Sequence, residues 1–306
     1  MTLELRHLRY FTVVAEELNF GRAARRLHMT QPPLSQQIMQ LEEQIGAPLF
    51  IRGRPLQLTD AGAELLLQSR RLLEHADVVV QSAKQAARGE RGTLTIAFIT
   101  GALPHLFPAI ISRFASQFPL VKLDLKELVS PYQHESLREG AIDVGIMRPI
   151  GVEDDFETRM LLKERMLVAM PAHHRYADRP VIRVADLVSE PFVSFDATEA
   201  RYFDLLTRRI FSQAKADPKV VQTARQLYTV LATVAAGMGV TLVPASAKDL
   251  AFPGVLFREL ELREPVYAEL ILAWRRECAQ PVLSNFLKTA LEVAGVGSTI
   301  KRYVTT

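Results

Sequence analysis

The stretch Phe20-Gly21-Arg22-Ala23-Ala24-Arg25-Arg26-Leu27, His28-Met29-Thr30, Gln31-Pro32-Pro33-Leu34-Ser35-Gln36-Gln37-Ile38 decides the fold. Ala23, Ala24 and Leu27 give a short helix a small apolar face, with Asn19 placed to cap it and Arg22, Arg25 and Arg26 turned elsewhere. Gln31-Pro32-Pro33 suits the first turn of a second helix, where amides have no helical partner and proline costs little. That helix is expected to run to about residue 43. It buries Leu34, Ile38, Leu41 and Ile45 and leaves Gln31, Ser35, Gln36, Met39 and Gln40 on other faces. The small alanines let the two helices approach closely.

On the N-terminal side, Leu5, Leu8, Phe11, Val14, Ala15 and Leu18 form one apolar helical stripe. On the C-terminal side, Gly46-Ala47-Pro48 ends the helix, and residues 49–58 look like two short strands around a basic turn, a wing that carries Arg52 and Arg54. Thr59 then caps a long helix with an acidic first turn, reaching about residue 88. Along it Leu65, Ser69, Leu72, Ala76, Val79, Ala83 and Ala86 recur at heptad spacing. Such a stripe serves either a coiled-coil-like dimer, the favoured reading, or packing on its own domain. The polar joint Arg88-Gly89-Glu90-Arg91-Gly92 follows, the best domain boundary in the chain. Beyond it, strand-like runs at residues 93–99, 122–128, 143–147, 167–170, 241–244 and 266–274 alternate with helical ones at 103–117, 133–139, 203–213, 226–236 and 281–294. That alternation argues for a mostly parallel α/β sheet.

Composition narrows the classes. A chain of 306 residues, 48% hydrophobic and 23% charged, is neither disordered nor fibrous. Its lone Cys278 supports neither an internal disulfide nor a cysteine zinc site, so no metal or other cofactor is expected. The N-terminus lacks the order of a secretory signal, and no apolar run approaches the ~20 residues of a membrane span, which makes the cytoplasm the default address and excludes a membrane partner. The net charge of +3 is too small to name a nucleic-acid partner. Over residues 1–58, arginines outnumber glutamates by only two.

The order of elements says more than the charge does. Two short helices followed by a basic hairpin make a winged helix-turn-helix, although the pattern alone also fits an ordinary helical subdomain. In a winged helix-turn-helix the second helix enters the major groove of duplex DNA N-terminus first. Gln31, Ser35 and Gln36 then lie near base edges, the first turn with Pro32 and Pro33 lies near phosphate, and Arg52 and Arg54 lie at the backbone or minor groove.

The residues Leu8-Arg9-Tyr10-Phe11, the stretch quoted first, Leu41-Glu42-Glu43, Leu49-Phe50-Ile51-Arg52 and Leu58-Thr59-Asp60-Ala61-Gly62 resemble the N-terminal signature of LysR-type transcriptional regulators. The resemblance continues through Gly140-Ala141-Ile142-Asp143-Val144-Gly145-Ile146, Ala185-Asp186-Leu187 and residues 235–244. It implies a winged helix-turn-helix over residues 1–58, a linker and dimerisation helix over 59–88 paired through Leu65, Leu72, Ala76, Val79 and Ala83, and an effector domain over 89–306. The last is similar to type 2 periplasmic binding proteins, with lobe I at about 93–162 and 268–306 and lobe II at about 163–267. Implied partners are promoter DNA, a small effector, further copies of the chain as a dimer assembling to a tetramer, and RNA polymerase. Within the family the chain resembles the benzoate- and muconate-responsive activators of aromatic catabolism. That implies a cleft lined by Thr100, Gly101, Ser130, Arg148 and Phe203, suited to an anionic aromatic acid or dicarboxylate. Where those activators place a serine, this chain has Gly101.

Each site residue also has a plainer reading. Thr100 and Ser130 suit helix caps, Arg148 suits a surface position before Pro149, and Phe203 suits the core. His173-His174 lacks a third ligand nearby and reads as a solvated turn. No nucleophile-base pair, carboxylate pair or phosphate loop stands out, so an enzyme is not expected. The rival functional reading is a cytosolic solute-binding or enzymatic protein whose first 90 residues only oligomerise.

Overall fold

The computed structural model describes residues 3–53, 55–102, 106–149, 156–278 and 280–295. Its chain divides into two compact units, Met1–Gln85 and Ala86–Thr306.

The first unit contains α1 (Leu5–Glu17), α2 (Phe20–Arg26), α3 (Gln31–Ile45), β1 (Phe50–Ile51), β2 (Gln57–Leu58) and most of α4 (Asp60–Ala87). Asn19 caps α2, its side-chain oxygen accepting from the Arg22 amide at 2.9 Å. α3 carries its prolines in the first turn and ends at Gly46, whose φ of +74° suits a residue without Cβ. Phe11, Val14, Ala23, Ala24, Leu34, Ile38, Leu41 and Leu49 form the core between the helices and the wing. Ile45, expected in that stripe, is instead exposed at the last turn of α3. The Thr59 hydroxyl accepts from the Gly62 amide at 2.9 Å and so caps α4, as its sequence suggests.

Leu65 and Leu66 pack on the core of the first unit and Ser69 is buried, whereas Leu72, Val78, Val79 and Val80 are exposed.

In the second unit come β3 (Arg91–Phe98), α5 (Leu106–Gln117), β4 (Leu120–Glu127), α6 (Ser130–Glu139), β5 (Val144–Met147) and β6 (Phe156–Pro171). There follow β7 (Val181–Arg183), α7 (Val184–Leu187), β8 (Pro191–Phe195), α8 (Arg201–Ser212), β9 (Lys219–Ala224), α9 (Leu227–Ala235), β10 (Thr241–Pro244), β11 (Val255–Glu261), β12 (Tyr267–Arg275) and α10 (Pro281–Val293). One lobe has the order β4-β3-β5-β12-β6, with β4, β3 and β5 parallel. β6 pairs antiparallel with β12 from Phe156 to Arg165 and then changes partners. From Met166 onward it lies between β10 and β11, which carry it into the second lobe. There β7 joins β11, and the parallel pair β8-β9 joins through Val193 to the Val240 carbonyl.

The expectation of a mostly parallel sheet is therefore corrected: β6 and β12, the long strands that tie the lobes together, run antiparallel to their neighbours. The strand expected at 167–170 is only the end of β6. Glu157, Arg159, Lys163 and Arg165 interrupt the apolar pattern of its first half, because this half has one partly solvated face. The joint at Gly89 is held by the Asn285 amide, which donates to the Arg88 and Gly89 carbonyls at 2.9 and 3.1 Å. A Cβ at Gly89 would lie 2.4 Å from the Pro281 backbone. No helix among the described residues is long and apolar enough to cross a membrane.

Candidate functional site

In the first unit the start of α3 presents Gln31, Pro32, Pro33 and Gln36 to solvent, with Ser35 half-buried. Around them, most arginines are engaged by glutamates of the same unit. Arg26 pairs with Glu16 at 2.9 Å and Glu17 at 3.2 Å, Arg22 pairs with Glu17 at 3.2 Å, and Arg70 pairs with Glu16 at 3.3 Å. Arg52 on the wing pairs with Glu42 of α3 at 3.1 Å. Arg9 and Arg25 are exposed, without an ion-pair partner among the described residues. Arg25 is thus an exposed cation on α2 that no glutamate among the described residues engages. Arg54 lies outside the described residues.

In the second unit a cavity of about 200 Å³ opens at the C-terminal ends of β3, β4 and β5 and is closed from the other lobe by α8 and α9. Thr100, Gly101, Ser130, Arg148 and Phe203 all line it. Three helices, α6, α8 and α9, begin at its wall, none with a side-chain cap bond, so their first amides add positive potential there.

Arg148 is the best-held charge of the cavity. It is only 3% exposed, contrary to a surface role. Its amide donates to the Ser130 hydroxyl at 3.1 Å and its Nη1 to the Glu269 carbonyl at 2.8 Å. Its guanidinium lies 4.8 Å from the Phe203 ring centre and 5.7 Å from that of Tyr202. Nη2 stands 3.9 Å from Glu164 Oε1, too far for a hydrogen bond, and neither Nε nor Nη2 has a hydrogen-bond partner among the described residues. Burial pulls the pKa of Arg148 down, against the opposing charge of Glu164. Glu164 is held from the second lobe, where the Ser246 amide donates to Oε2 at 2.7 Å. A Cβ at Gly101 would stand 3.3 Å from Arg148 Nη2, so the glycine leaves the guanidinium its place.

The hydroxyl of Thr100 donates to Glu127 at 2.5 Å and stands 3.1 Å from the Gln226 amide oxygen of the other lobe. The Tyr202 hydroxyl accepts from the Glu269 amide at 2.8 Å, and burial raises the phenol's pKa. Glu164, Gln226 and Glu269 were missed in the sequence because each is brought in from a distant strand or helix, and Tyr202 because nothing in the sequence sets it apart from its neighbour Phe203. His174 is not solvated: it packs against Tyr176 and lies 3.2 Å from Glu190. No group of three metal-ligating side chains occurs among the described residues.

Residues 5–63 match the model of the bacterial regulatory helix-turn-helix proteins of the lysR family, and residues 87–295 match that of the LysR substrate binding domain. The chain belongs to the LysR family of transcriptional regulators. The rival of an enzyme or solute-binding protein falls with the helix-turn-helix match, since this is a family of regulators. Among LysR-family relatives, the HTH-type transcriptional regulator AlsR of Bacillus subtilis is 38% identical over 93% of this chain and 94% of its own. The crystal structure of CbnR, at 28% identity, covers 94% of this chain and 100% of that one with a TM-score of 0.85; with its target DNA the score is 0.83. The BenM effector binding domain with its effector benzoate is 26% identical and covers 66% of this chain and 92% of that one, with a TM-score of 0.59.

Proposed function

We propose that this LysR-family regulator is an activator whose promoter binding is modulated by a small organic acid held in the cavity by Thr100, Gly101, Ser130, Arg148 and Phe203. The observation that carries this reading is the buried Arg148: its Nε and Nη2 form one edge of the guanidinium, without a hydrogen-bond partner among the described residues, at a wall where three helices begin. That edge matches a carboxylate, which accepts two parallel hydrogen bonds from it. Phe195, Phe203 and Leu227 offer an apolar wall for the body of the ligand. The likeness to the BenM domain with benzoate favours an aromatic acid or a muconate-like dicarboxylate.

The division proposed is a DNA-binding domain at 1–58, a dimerising helix at 59–88 and an effector domain at 89–306. The dimers assemble to a tetramer on promoter DNA in the cytoplasm, where RNA polymerase is recruited. An effector that prefers one relation of the two lobes shifts the population toward it and changes how the DNA-binding units are placed. Binding without such a preference shifts nothing.

Thermal melting against benzoate, muconates and other small acids tests the effector class. A ligand at 100 times its Kd adds about 2.7 kcal/mol, which raises the melting temperature by roughly 5–10 °C in a domain of this size. A flat panel removes the aromatic-acid assignment.

At the DNA, Gln31, Ser35 and Gln36 face base edges, and the wing lies at the backbone or minor groove. Gln36→Ala is expected to relax discrimination at one base pair by about 1–3 kcal/mol, read by selection from a random pool. An unchanged selected sequence removes Gln36 from base reading.

A further inference from the structure

Glu42 sits in the last turns of α3 with its side chain 13% exposed, and both of its oxygens are in use. Oε1 accepts from the Leu49 amide at 2.8 Å and from the Phe50 amide at 3.3 Å, and Oε2 accepts from Arg52 Nη2 at 3.1 Å. One carboxylate therefore grips three donors from residues 49, 50 and 52 at the root of the wing. The other side of the same segment is gripped by the start of α4. The Thr59 amide donates to the Leu49 carbonyl at 3.0 Å, and the Thr59 hydroxyl donates to the Pro48 carbonyl at 2.7 Å. Gly62 completes this contact: a Cβ there would stand 2.1 Å from the Leu49 carbonyl oxygen. The two-residue strands β1 and β2 share a register of only two residue pairs, too few to fix the direction of a hairpin unaided.

We propose that Glu42 is a positioning residue that sets the wing against the recognition helix, and that Arg52 serves this joint and makes no phosphate contact. Glu42 Oε2 holds Arg52 Nη2 at 3.1 Å and partly offsets its charge, which turns this edge of the guanidinium toward the joint and away from phosphate. The wing is thereby fixed in angle before DNA arrives, which adds to specificity without adding a contact. This rests on the wing lying against DNA, as proposed above.

The test tethers an iron-EDTA cleavage reagent to the wing of the full-length protein through Gly53→Cys in a Cys278→Ser background. A Cβ at residue 53 meets nothing closer than the Pro55 carbonyl at 3.6 Å. The probe is a 40-base-pair duplex, a length of about four helical turns, selected by the wild-type protein from a random pool. A focused cut in the parent supports the placement of the wing, and no cut overturns that placement and this proposal with it. Adding Arg52→Ala or Glu42→Gln is expected to spread the cut over neighbouring nucleotides. Affinity for the selected duplex should fall about 10-fold relative to a random one. The slope of log affinity against log salt should stay unchanged, and the double variant should be no worse than either single one. Glu42→Gln keeps an acceptor for the two amides, and Arg52 is largely exposed, so both variants retain the fold. A cut that stays focused while Arg52→Ala lowers the salt slope by about 0.9 makes Arg52 a phosphate contact and overturns the proposal.

Discussion

Arg148→Ala is expected to weaken an anionic effector about 100-fold or more while operator affinity without effector stays within twofold, by calorimetric titration and by anisotropy of labelled DNA. The size follows from burial. A guanidinium at 3% exposure has already been stripped of water, and its Nε and Nη2 have no hydrogen-bond partner among the described residues. In the proposed complex a carboxylate takes both donors of a guanidinium that stacks near Phe203 and is anchored by the Glu269 carbonyl. Truncation removes both donors and leaves the effector's charge against apolar wall. It also leaves Glu164 without its nearest cation, so Arg148→Ala with Glu164→Gln serves as the control for a general loss of stability. If both variants keep the parent's effector affinity, the anion is held elsewhere in the cavity by the first amides of α6, α8 and α9.

The parts of this chain legible from sequence are those whose physics is local. Asn19 before α2, the prolines of α3, Gly46 after it and Thr59 before α4 each act within four residues, and each does in the structure what its type suggests. β6 was largely missed because its residues answer to strands far along the chain: Glu164 is buried by Ser246 and Arg148, and no local pattern announces that. The same holds for the cavity. Thr100, Ser130 and Arg148 follow strand ends, a position visible in sequence, but their convergence with Phe203 came from the resemblance. Tyr202, Gln226 and Glu269 carried no signal at all. Charge was uninformative for a different reason. The slight arginine excess of residues 1–58 names no partner, and the fold shows why: Glu16, Glu17 and Glu42 stand beside Arg22, Arg26 and Arg52.

Val79→Glu is expected to convert the protein to a monomer at micromolar concentration, read by sedimentation, and to lower affinity for a two-half-site operator by about 100-fold or more. Val79 is 56% exposed on α4, in line with Leu72 one heptad before it, which is 49% exposed. Beyond Ser69 on this 28-residue helix, Ala76 of the seam is half-buried while Leu72 and Val79 stay exposed. In the proposed dimer a second α4 supplies their cover, with Val79 at the seam. Glutamate at the same place would set two carboxylates against each other in a desolvated contact. It is also a good helix former, so α4 itself should persist and circular dichroism should be unchanged. The loss at DNA then comes from separating two half-site readers, since a linked pair binds its second half-site at the effective concentration set by the linker. Affinity for a single half-site therefore distinguishes the causes. Retained half-site binding by a monomer supports the seam. A Val79→Glu protein that remains dimeric places the pairing of the chains outside α4.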